Sequence, residues 1–138
     1  MIQVTCALIV SEGKVLIAQN KEDSDHPFQW EFPGGKLKAG ETEEQCICRE
    51  IKEELELEIR VLERLPGVEY DYGIKNIMLI PFVCSIESGE LKLNDHIKTA
   101  WIEMAELGTV DFSAADKKLI GIDSNQKSLK KYTRKQVD

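Results

Sequence analysis

The sequence predicts an α/β sandwich built on a mixed β-sheet. The 138-residue chain has the usual size of a single domain. Its hydrophobic share of 42% and its charged share of 31% are typical of a globular protein. Short β-branched segments alternate with two or three segments of helical pattern, an order that favours helices packed against a mixed sheet.

The N-terminal part predicts a β-hairpin followed by a long loop. Residues 2–10 have the apolar, β-branched character of a buried strand, and a turn at 11–14 leads into a second strand at 15–19. Residues 20–30 are polar and predict a loop. Residues 31–40 contain three glycines and a proline and predict a shaped loop rather than a regular element.

A helix is predicted to begin at Thr42, which forms a capping-box pattern with Gln45. Glutamates in its first turn suit the positive end of the helix dipole. Beyond this helix the patterns predict strands at 57–63, 67–72, 76–86 and 98–102, a turn at 87–90, and helical segments at 103–107 and 113–121.

Charge and composition exclude several function classes. The formal net charge is −7, which argues against a general nucleic-acid binder. Residues 123–138 carry five basic residues against two acidic ones, and we expect them to form a flexible basic tail after a domain at 1–122. No membrane-spanning run or signal peptide is recognised, so a cytoplasmic location and free, reduced cysteines are expected.

Three carboxylates fall close together on the predicted helix: Glu50, Glu53 and Glu54. Two unit charges 4 Å apart repel by about 1 kcal/mol in water and about 4 kcal/mol at an effective dielectric near 20. A solvated acidic face is one interpretation. The adjacent Arg49 and the glycine loop favour another, a site for a divalent cation and a phosphate substrate, because Mg²⁺ prefers oxygen ligands and binds phosphates. Mn²⁺ also fits.

The same residues carry a family resemblance. The pattern G-x5-E-x7-R-E-U-x-E-E-x-G-U, where U is aliphatic, is the Nudix box, and this chain matches it at Gly35, Glu41, Arg49, Glu50, Ile51, Glu53, Glu54 and Leu57. Glu56 stands where the family has glycine. The upstream segment W-E-F-P-G-G-K at 30–36 resembles the MutT-like branch. The resemblance implies a Nudix-type α/β/α sandwich with a mixed sheet.

The resemblance also implies a chemistry and a set of residues. Nudix enzymes cleave a nucleoside diphosphate linked to another group, with divalent metal. By resemblance Glu50 and Glu54 are the main metal ligands, with Glu53, the Gly34 carbonyl and the loop residue Asp95 contributing. Asp95 as a solvated loop residue remains an alternative. Glu50 is the first candidate for general base, and which glutamate acts stays open. Arg49 is expected to orient the glutamates.

Substrate contacts are expected at both ends of the nucleotide. Asp116 resembles the residue that faces the base in this branch, although it also suits a helix cap. The residues expected at the substrate are Asn20, Glu31, Phe32, Pro33, Gly34, Lys36, Tyr72 and Asp116. Asn20 stands where relatives often carry an arginine that touches phosphate, so either the affinity is lower or Lys21 or Lys75 supplies that contact. Lys36 either meets a phosphate or pairs with a glutamate of the box. Tyr72 and Phe32 either line a base pocket or pack in the core.

The function that these residues imply is pyrophosphohydrolysis of a nucleoside triphosphate to the monophosphate and pyrophosphate. The substrate is expected to be a small nucleotide such as 8-oxo-dGTP or a cytosine nucleotide, with no nucleic-acid or membrane partner, and the protein a monomer or homodimer. One alternative is a Nudix hydrolase of ADP-ribose or a dinucleoside polyphosphate. Another is a nucleotide-binding module of the same fold without turnover.

Overall fold

A computed structural model describes residues 1–134. Eight strands, a 3₁₀ helix and three α-helices follow one another along the chain. Their bounds are β1 Ile2–Ser11, β2 Lys14–Gln19, β3 Trp30–Glu31, β4 Gly34–Lys36, α1 Glu43–Leu55, β5 Leu57–Arg64, β6 Val68–Asp71, β7 Asn76–Gly89, β8 Lys98–Ile102, the 3₁₀ helix Met104–Thr109, α2 Ala114–Ile120 and α3 Asp123–Thr133.

The sheet is mixed, as the sequence predicts. Its main path runs β3-β2-β1-β7-β5, with β4 paired to β1, β6 to β7, and β8 to β2. β1 and β7 run parallel, with Ile2 opposite Ile77 and Ile9 opposite Cys84, whereas all other pairs are antiparallel. The central β1 is therefore flanked along its length and has little access to solvent.

Both faces of this sheet are covered, and alternation along β1 divides two cores. Ala7 and Ile9 point toward α1, where they belong to one buried cluster with Ile47, Ile51 and Leu55. The alternate residues Cys6, Leu8 and Val10 point to the other face, where they belong to a second buried cluster with residues of the 3₁₀ helix, α2 and α3. The result is the α/β/α sandwich expected from the resemblance.

The predicted start of α1 is confirmed. Thr42 caps the helix: its hydroxyl accepts from the Gln45 amide at 3.1 Å, and the Gln45 side chain accepts from the Thr42 amide at 2.9 Å. This reciprocal pair satisfies two backbone donors that the first helical turn leaves open. The helix therefore begins at a set residue, and the residues along it keep a fixed orientation toward the sheet.

Two local predictions differ from the structure. The loop at 31–40 contains two short strands, because Gly34–Lys36 pairs with β1 and Trp30–Glu31 pairs with β2. The turn expected at 87–90 is instead the end of β7, because Leu57 at the start of β5 pairs with Gly89. In both cases a partner strand distant in sequence supplies the hydrogen bonds, which local patterns do not reveal.

The C-terminal segment also differs from the expected flexible tail. Residues Asp123–Thr133 form α3, whose Leu129 is 2% exposed within the second core. Lys131 and the Tyr132 hydroxyl both reach Glu63 on β5, at 2.9 and 2.8 Å. Apolar residues at helical spacing therefore anchor this segment despite its basic charge, and residues 135–138 lie outside the described part.

Helices long and apolar enough to cross a bilayer do not occur among residues 1–134.

Glu56 occupies a left-handed backbone conformation at the end of α1, with φ 58° and ψ 33°. Glycine adopts this region without the steric cost that a Cβ brings. We expect Glu56→Gly to raise the free energy of unfolding by about 0.5–1 kcal/mol and the melting temperature by roughly 2–5 °C. The gain is limited by loss of an exposed hydrogen bond from Asn94 to the Glu56 carboxylate. Thermal denaturation followed by circular dichroism measures both quantities.

The matched control is Lys52→Gly, which places glycine in the helical interior of the same element. We expect it to lower stability by about 1 kcal/mol. An unchanged or lower melting temperature for Glu56→Gly would contradict strain at this position.

Candidate active site

A cavity of about 360 Å³ opens where β4, the N-terminal end of α2 and two loops meet. Many residues that the sequence singles out line it. The residues that were singled out from the sequence and that line the cavity are Asn20, Glu31, Phe32, Gly34, Lys36, Glu54, Tyr72, Lys75, Asp95 and Asp116. The cavity therefore brings together carboxylates, glycine backbone, lysines and an aromatic ring within one space of ligand size.

Backbone packing requires glycine at position 34, and the present position of the Glu50 side chain leaves no room for a Cβ at Gly35. A Cβ on Gly34 would meet the Thr5 carbonyl oxygen and lie 2.7 Å from the Cys6 Cα. A Cβ on Gly35 would collide with the carboxylate of Glu50. Glycine at both positions lets β4 lie directly between β1 and the acidic side of α1, which brings its backbone close to the glutamates.

Arg49 holds the acidic residues in place. Its guanidinium binds Glu41 through Nε at 2.6 Å and Nη2 at 3.0 Å, and its Nη1 donates to Glu50 at 2.8 Å and Glu53 at 3.2 Å. The hydrogen bonds from Arg49 lower the pKa of the Glu41 carboxyl to about 2, and they raise the pKa of the guanidinium itself. Arg49 thus contacts Glu50 and Glu53 of the acidic cluster but not Glu54, and Glu41 is its bidentate partner.

Glu54 has a different environment from the other glutamates of the helix. It is 9% exposed, and its Oε2 has no hydrogen-bond partner among the described residues. Burial raises the pKa of its carboxyl to about 9, and the charges of Glu31, Glu50 and Asp95 add to this rise, against a backbone hydrogen bond with Gly34. Without a cation this carboxyl is neutral at pH 7.

The residues present fit a divalent cation. Oxygen is the only donor type in this group of carboxylates, and one buried carboxylate oxygen is unpaired, which suits Mg²⁺ or Mn²⁺. Within residues 1–134, however, no three acidic, histidine or cysteine side chains converge into a ready ligand set. Mg²⁺ sites commonly combine one or two carboxylates with waters and substrate phosphates, so an incomplete protein shell fits that ion.

Glu31 connects β3 to the loop that precedes β8. Its Oε2 lies 3.1 Å from Nε2 of His96, whose side chain is buried, and whose Nδ1 has no partner among the described residues. Asp95, beside His96, is exposed and lines the cavity. The pairing of Glu31 with His96 joins residues 65 positions apart, and no sequence signal indicates it.

Asp116 is buried at another wall of the cavity, 6% exposed. Its Oδ1 accepts the Phe32 amide at 3.2 Å and its Oδ2 accepts the Ser113 hydroxyl at 2.5 Å. Burial, with the charge of Glu31, raises the pKa of the carboxyl to about 7. The Asp116 side chain therefore reaches both the segment between β3 and β4, through Phe32, and the start of its own helix, through Ser113.

Two loops form the mouth of the cavity. Lys75 binds Asp25 at 2.9 Å, and the rings of His26 and Tyr72 lie 4.7 Å apart, so the loop after β2 contacts the loop after β6 twice. The Tyr72 hydroxyl accepts the Ala115 amide at 2.9 Å. Tyr72 is therefore tied to the first turn of α2, and Lys75 places a cation at the cavity.

The remaining predicted residues are placed as follows. Lys36 lines the cavity, and its ammonium makes no ion pair within residues 1–134, so pairing with a box glutamate is not observed. Arg49, Glu50 and Glu53 lie beside the cavity rather than in its lining. Pro33 is also outside the lining. Its carbonyl accepts a hydrogen bond from the Ala7 amide of β1.

Known proteins resemble this chain over most of its length. The model of the NUDIX domain matches residues 1–120. The chain belongs to the Nudix family. It is 35% identical to the putative 8-oxo-dGTP diphosphatase 2 of Mycobacterium tuberculosis, over 83% of this chain and 82% of that protein. It is 32% identical to the CTP pyrophosphohydrolase of Escherichia coli, over 84% and 86% of the two chains.

Solved structures of the Nudix family share the fold. The solution structure of the E. coli ORF135 protein superimposes with a TM-score of 0.78 over 99% of this chain and 95% of that one, at 28% identity. The MutT protein of a methicillin-resistant Staphylococcus aureus matches with a TM-score of 0.70 at 30% identity, over 93% and 94% of the chains. The Nudix and MutT-like resemblance is thereby confirmed.

The neutral, buried carboxyl of Glu54 generates a stability prediction. The pKa of the Glu54 carboxyl is about 9 in the folded protein and 4.5 in the unfolded chain. Between these two pH values the carboxyl is ionised in the unfolded chain but still protonated in the folded protein, so the free energy of unfolding falls as the pH rises from 4.5 toward 9. We expect Glu54→Gln, measured in EDTA at pH 7.5, to unfold at higher temperature, with a gain on the order of 1–3 kcal/mol. At pH 4 the gain should disappear. The same substitution should abolish most turnover.

Glu44→Gln is the matched control, because Glu44 is an exposed carboxylate on the same helix. It should show no such pH-dependent gain. Equal shifts for Glu54→Gln at pH 4 and pH 7.5, or near-normal turnover, would remove Glu54 from the role assigned to it.

Proposed function

We propose that the protein is a divalent-metal-dependent pyrophosphohydrolase that cleaves a nucleoside triphosphate to the monophosphate and pyrophosphate. One observation carries this proposal: the same cavity is lined by the acidic cluster around Glu54 and, at another wall, by the buried Asp116. The first suits a metal-bound polyphosphate and the second a nucleobase. A cytoplasmic location, as the sequence suggests, agrees with such a substrate.

The phosphate end would be held by backbone, lysine and carboxylate groups. Glu54 and the Gly34 carbonyl, with Glu50, Glu53 and Asp95, would hold Mg²⁺ or Mn²⁺. A divalent cation there would neutralise phosphate oxygens and make the attacking water more acidic. Glu50, held by Arg49 against Gly35, is our first choice to accept the proton from that water.

Lysines would supply the phosphate contact that Asn20 does not. Asn20 is buried, 7% exposed, and its backbone closes the loop through hydrogen bonds with Phe28 and Gln29. Lys75 and Lys36 both line the cavity, and Lys75 is paired only with an exposed aspartate, Asp25. Exchange of Asp25 for a phosphate costs little, because exposed ion pairs contribute at most about 1 kcal/mol.

The base end would be recognised by Asp116. An ionised carboxylate only accepts hydrogen bonds and suits the adjacent N1–H and amino donors of a guanine-type base. A protonated carboxyl offers one donor and one acceptor and suits cytosine, whose N3 accepts and whose N4 donates. Since the pKa of Asp116 is about 7, both forms are present near neutral pH. This supports 8-oxo-dGTP and cytosine nucleotides as the substrates to compare first.

The decisive experiment measures pyrophosphate and monophosphate release across a nucleotide panel with Mg²⁺. We expect turnover of 8-oxo-dGTP, dCTP or CTP to exceed that of ADP-ribose and diadenosine tetraphosphate by at least tenfold in kcat/KM, and to cease in EDTA. Higher turnover of ADP-ribose or the dinucleotide would assign another Nudix substrate class. Binding without turnover of any nucleotide would show a non-catalytic module.

The protonation state of Asp116 predicts a pH-dependent base preference. As pH rises through about 7, the ratio of kcat/KM for the cytosine nucleotide over 8-oxo-dGTP should fall, because the carboxyl loses the donor that cytosine needs. Asp116→Asn keeps one donor and one acceptor at every pH. We therefore expect the variant to retain cytosine turnover and to show a ratio that does not change with pH.

Asp111→Asn serves as the control, because Asp111 is an exposed aspartate that does not line the cavity. Its ratio should follow that of the unmodified protein. A slope in Asp116→Asn equal to that of the unmodified protein would show that another group reads the base.

A further inference from the structure

A second cavity, larger than the catalytic one, lies between the 3₁₀ helix, α2 and α3. Its volume is about 590 Å³, within the range of small-molecule sites. Most of its wall is apolar or backbone, and two lysines and a glutamine complete it. The lining residues are Met104, Ala105, Leu107, Gly108, Val110, Phe112, Lys117, Ile120, Gly121, Gln126 and Lys130.

The lysines of this cavity carry unpaired positive charge in an acidic protein. The chain has a formal net charge of −7, yet neither Lys117 nor Lys130 makes an ion pair or hydrogen bond through its ammonium within residues 1–134. Their sequence neighbours differ: Lys118 donates to the Glu69 carbonyl at 2.8 Å, and Lys131 binds Glu63 at 2.9 Å. The cavity thus offers two available cations to an anionic ligand.

A buried polar atom next to the cavity also lacks a partner. Asn125 is 3% exposed, and its Oδ1 accepts no hydrogen bond from the described residues, although its Nδ2 donates to the Leu119 carbonyl at 3.0 Å. Asn125 lines a void of about 10 Å³ that shares Met104, Leu107, Ile120 and Gln126 with the cavity.

We propose that this second cavity is a binding site for a small organic anion that has an aromatic or apolar body and an N–H or O–H donor. The anionic group would lie between Lys117 and Lys130, the body would pack against Phe112 and Ile120, and the donor would reach Asn125 Oδ1. Such a ligand would match the two lysines of the cavity and the unpaired oxygen of the adjoining void. The proposal does not depend on which nucleotide the catalytic cavity cleaves.

The site shares structure with the catalytic cavity. Phe112 lines the second cavity and stacks on Phe32, with ring centroids 5.0 Å apart, and Phe32 lines the first. Lys117 directly follows Asp116 on α2. A ligand that moves the ring of Phe112 or the first turn of α2 therefore moves groups at the proposed base end, so occupancy should change KM for the nucleotide.

The probe is 1-anilinonaphthalene-8-sulfonate, which combines an aromatic body, one N–H donor and an anionic sulfonate. Isothermal titration calorimetry on the folded full chain should show one site per chain. Lys117→Gln with Lys130→Gln should weaken binding at least tenfold, and Ala105→Trp should abolish it by filling the cavity. Lys127→Gln, on an exposed lysine of α3 outside the lining, is the matched control and should bind normally. Melting temperatures verify that each variant is folded.

Two competitions locate the bound probe. A non-hydrolysable nucleoside triphosphate analogue with Mg²⁺ should not displace the probe, although the coupling should shift the probe affinity by about the same factor as the probe shifts nucleotide affinity. Neutral N-phenyl-1-naphthylamine should bind at least tenfold more weakly than the sulfonate. Displacement by the nucleotide analogue, equal binding by the Lys117 and Lys130 double variant, or no binding at all would overturn the site.

Saturating probe should change the nucleotide KM at least twofold in the unmodified protein but not in Ala105→Trp, and an unchanged KM would overturn the coupling through Phe112.

Discussion

The acidic side of the first cavity depends on holding several carboxylates together where water cannot solvate all of them. Arg49 neutralises part of this charge through Glu41, Glu50 and Glu53. Glu54 makes no ion pair within residues 1–134, and burial raises the pKa of its carboxyl to about 9. In the proposed function, a cation bound at Glu54 would displace the carboxyl proton, so its affinity would weaken as the pH falls.

Backbone packing makes that arrangement possible. The two glycines of β4 allow a strand to pass between β1 and the acidic side of α1, closer than any side chain permits. The same strand leads back to Phe32, whose amide binds Asp116 on α2. A single short segment therefore connects the acidic cluster to Asp116, the two regions to which the proposed function assigns the phosphates and the base.

Local and tertiary requirements conflict at the end of α1. Glu56 takes a left-handed backbone conformation that favours glycine, so the helix ends there at some cost in stability. Its neighbourhood is crowded, because a Cβ on Gly89 would lie 2.7 Å from the Glu56 carbonyl oxygen. The chain thus has glycine at position 89 of β7, which pairs with Leu57 and where a Cβ would clash, and it tolerates strain at position 56.

The sequence by itself determined the features that depend on local spacing. The capping box at Thr42, the acidic and apolar sides of α1 and the β1–β2 turn all follow from residues within a few positions of one another. Only the tertiary structure decided the pairing of Glu31 with His96, the contact of Phe32 with Asp116, and the packing of α3, because each joins residues far apart in sequence. The burial that gives Glu54 and Asp116 their raised pKa values is likewise a property of the assembled fold, since desolvation depends on every element packed around the carboxyl.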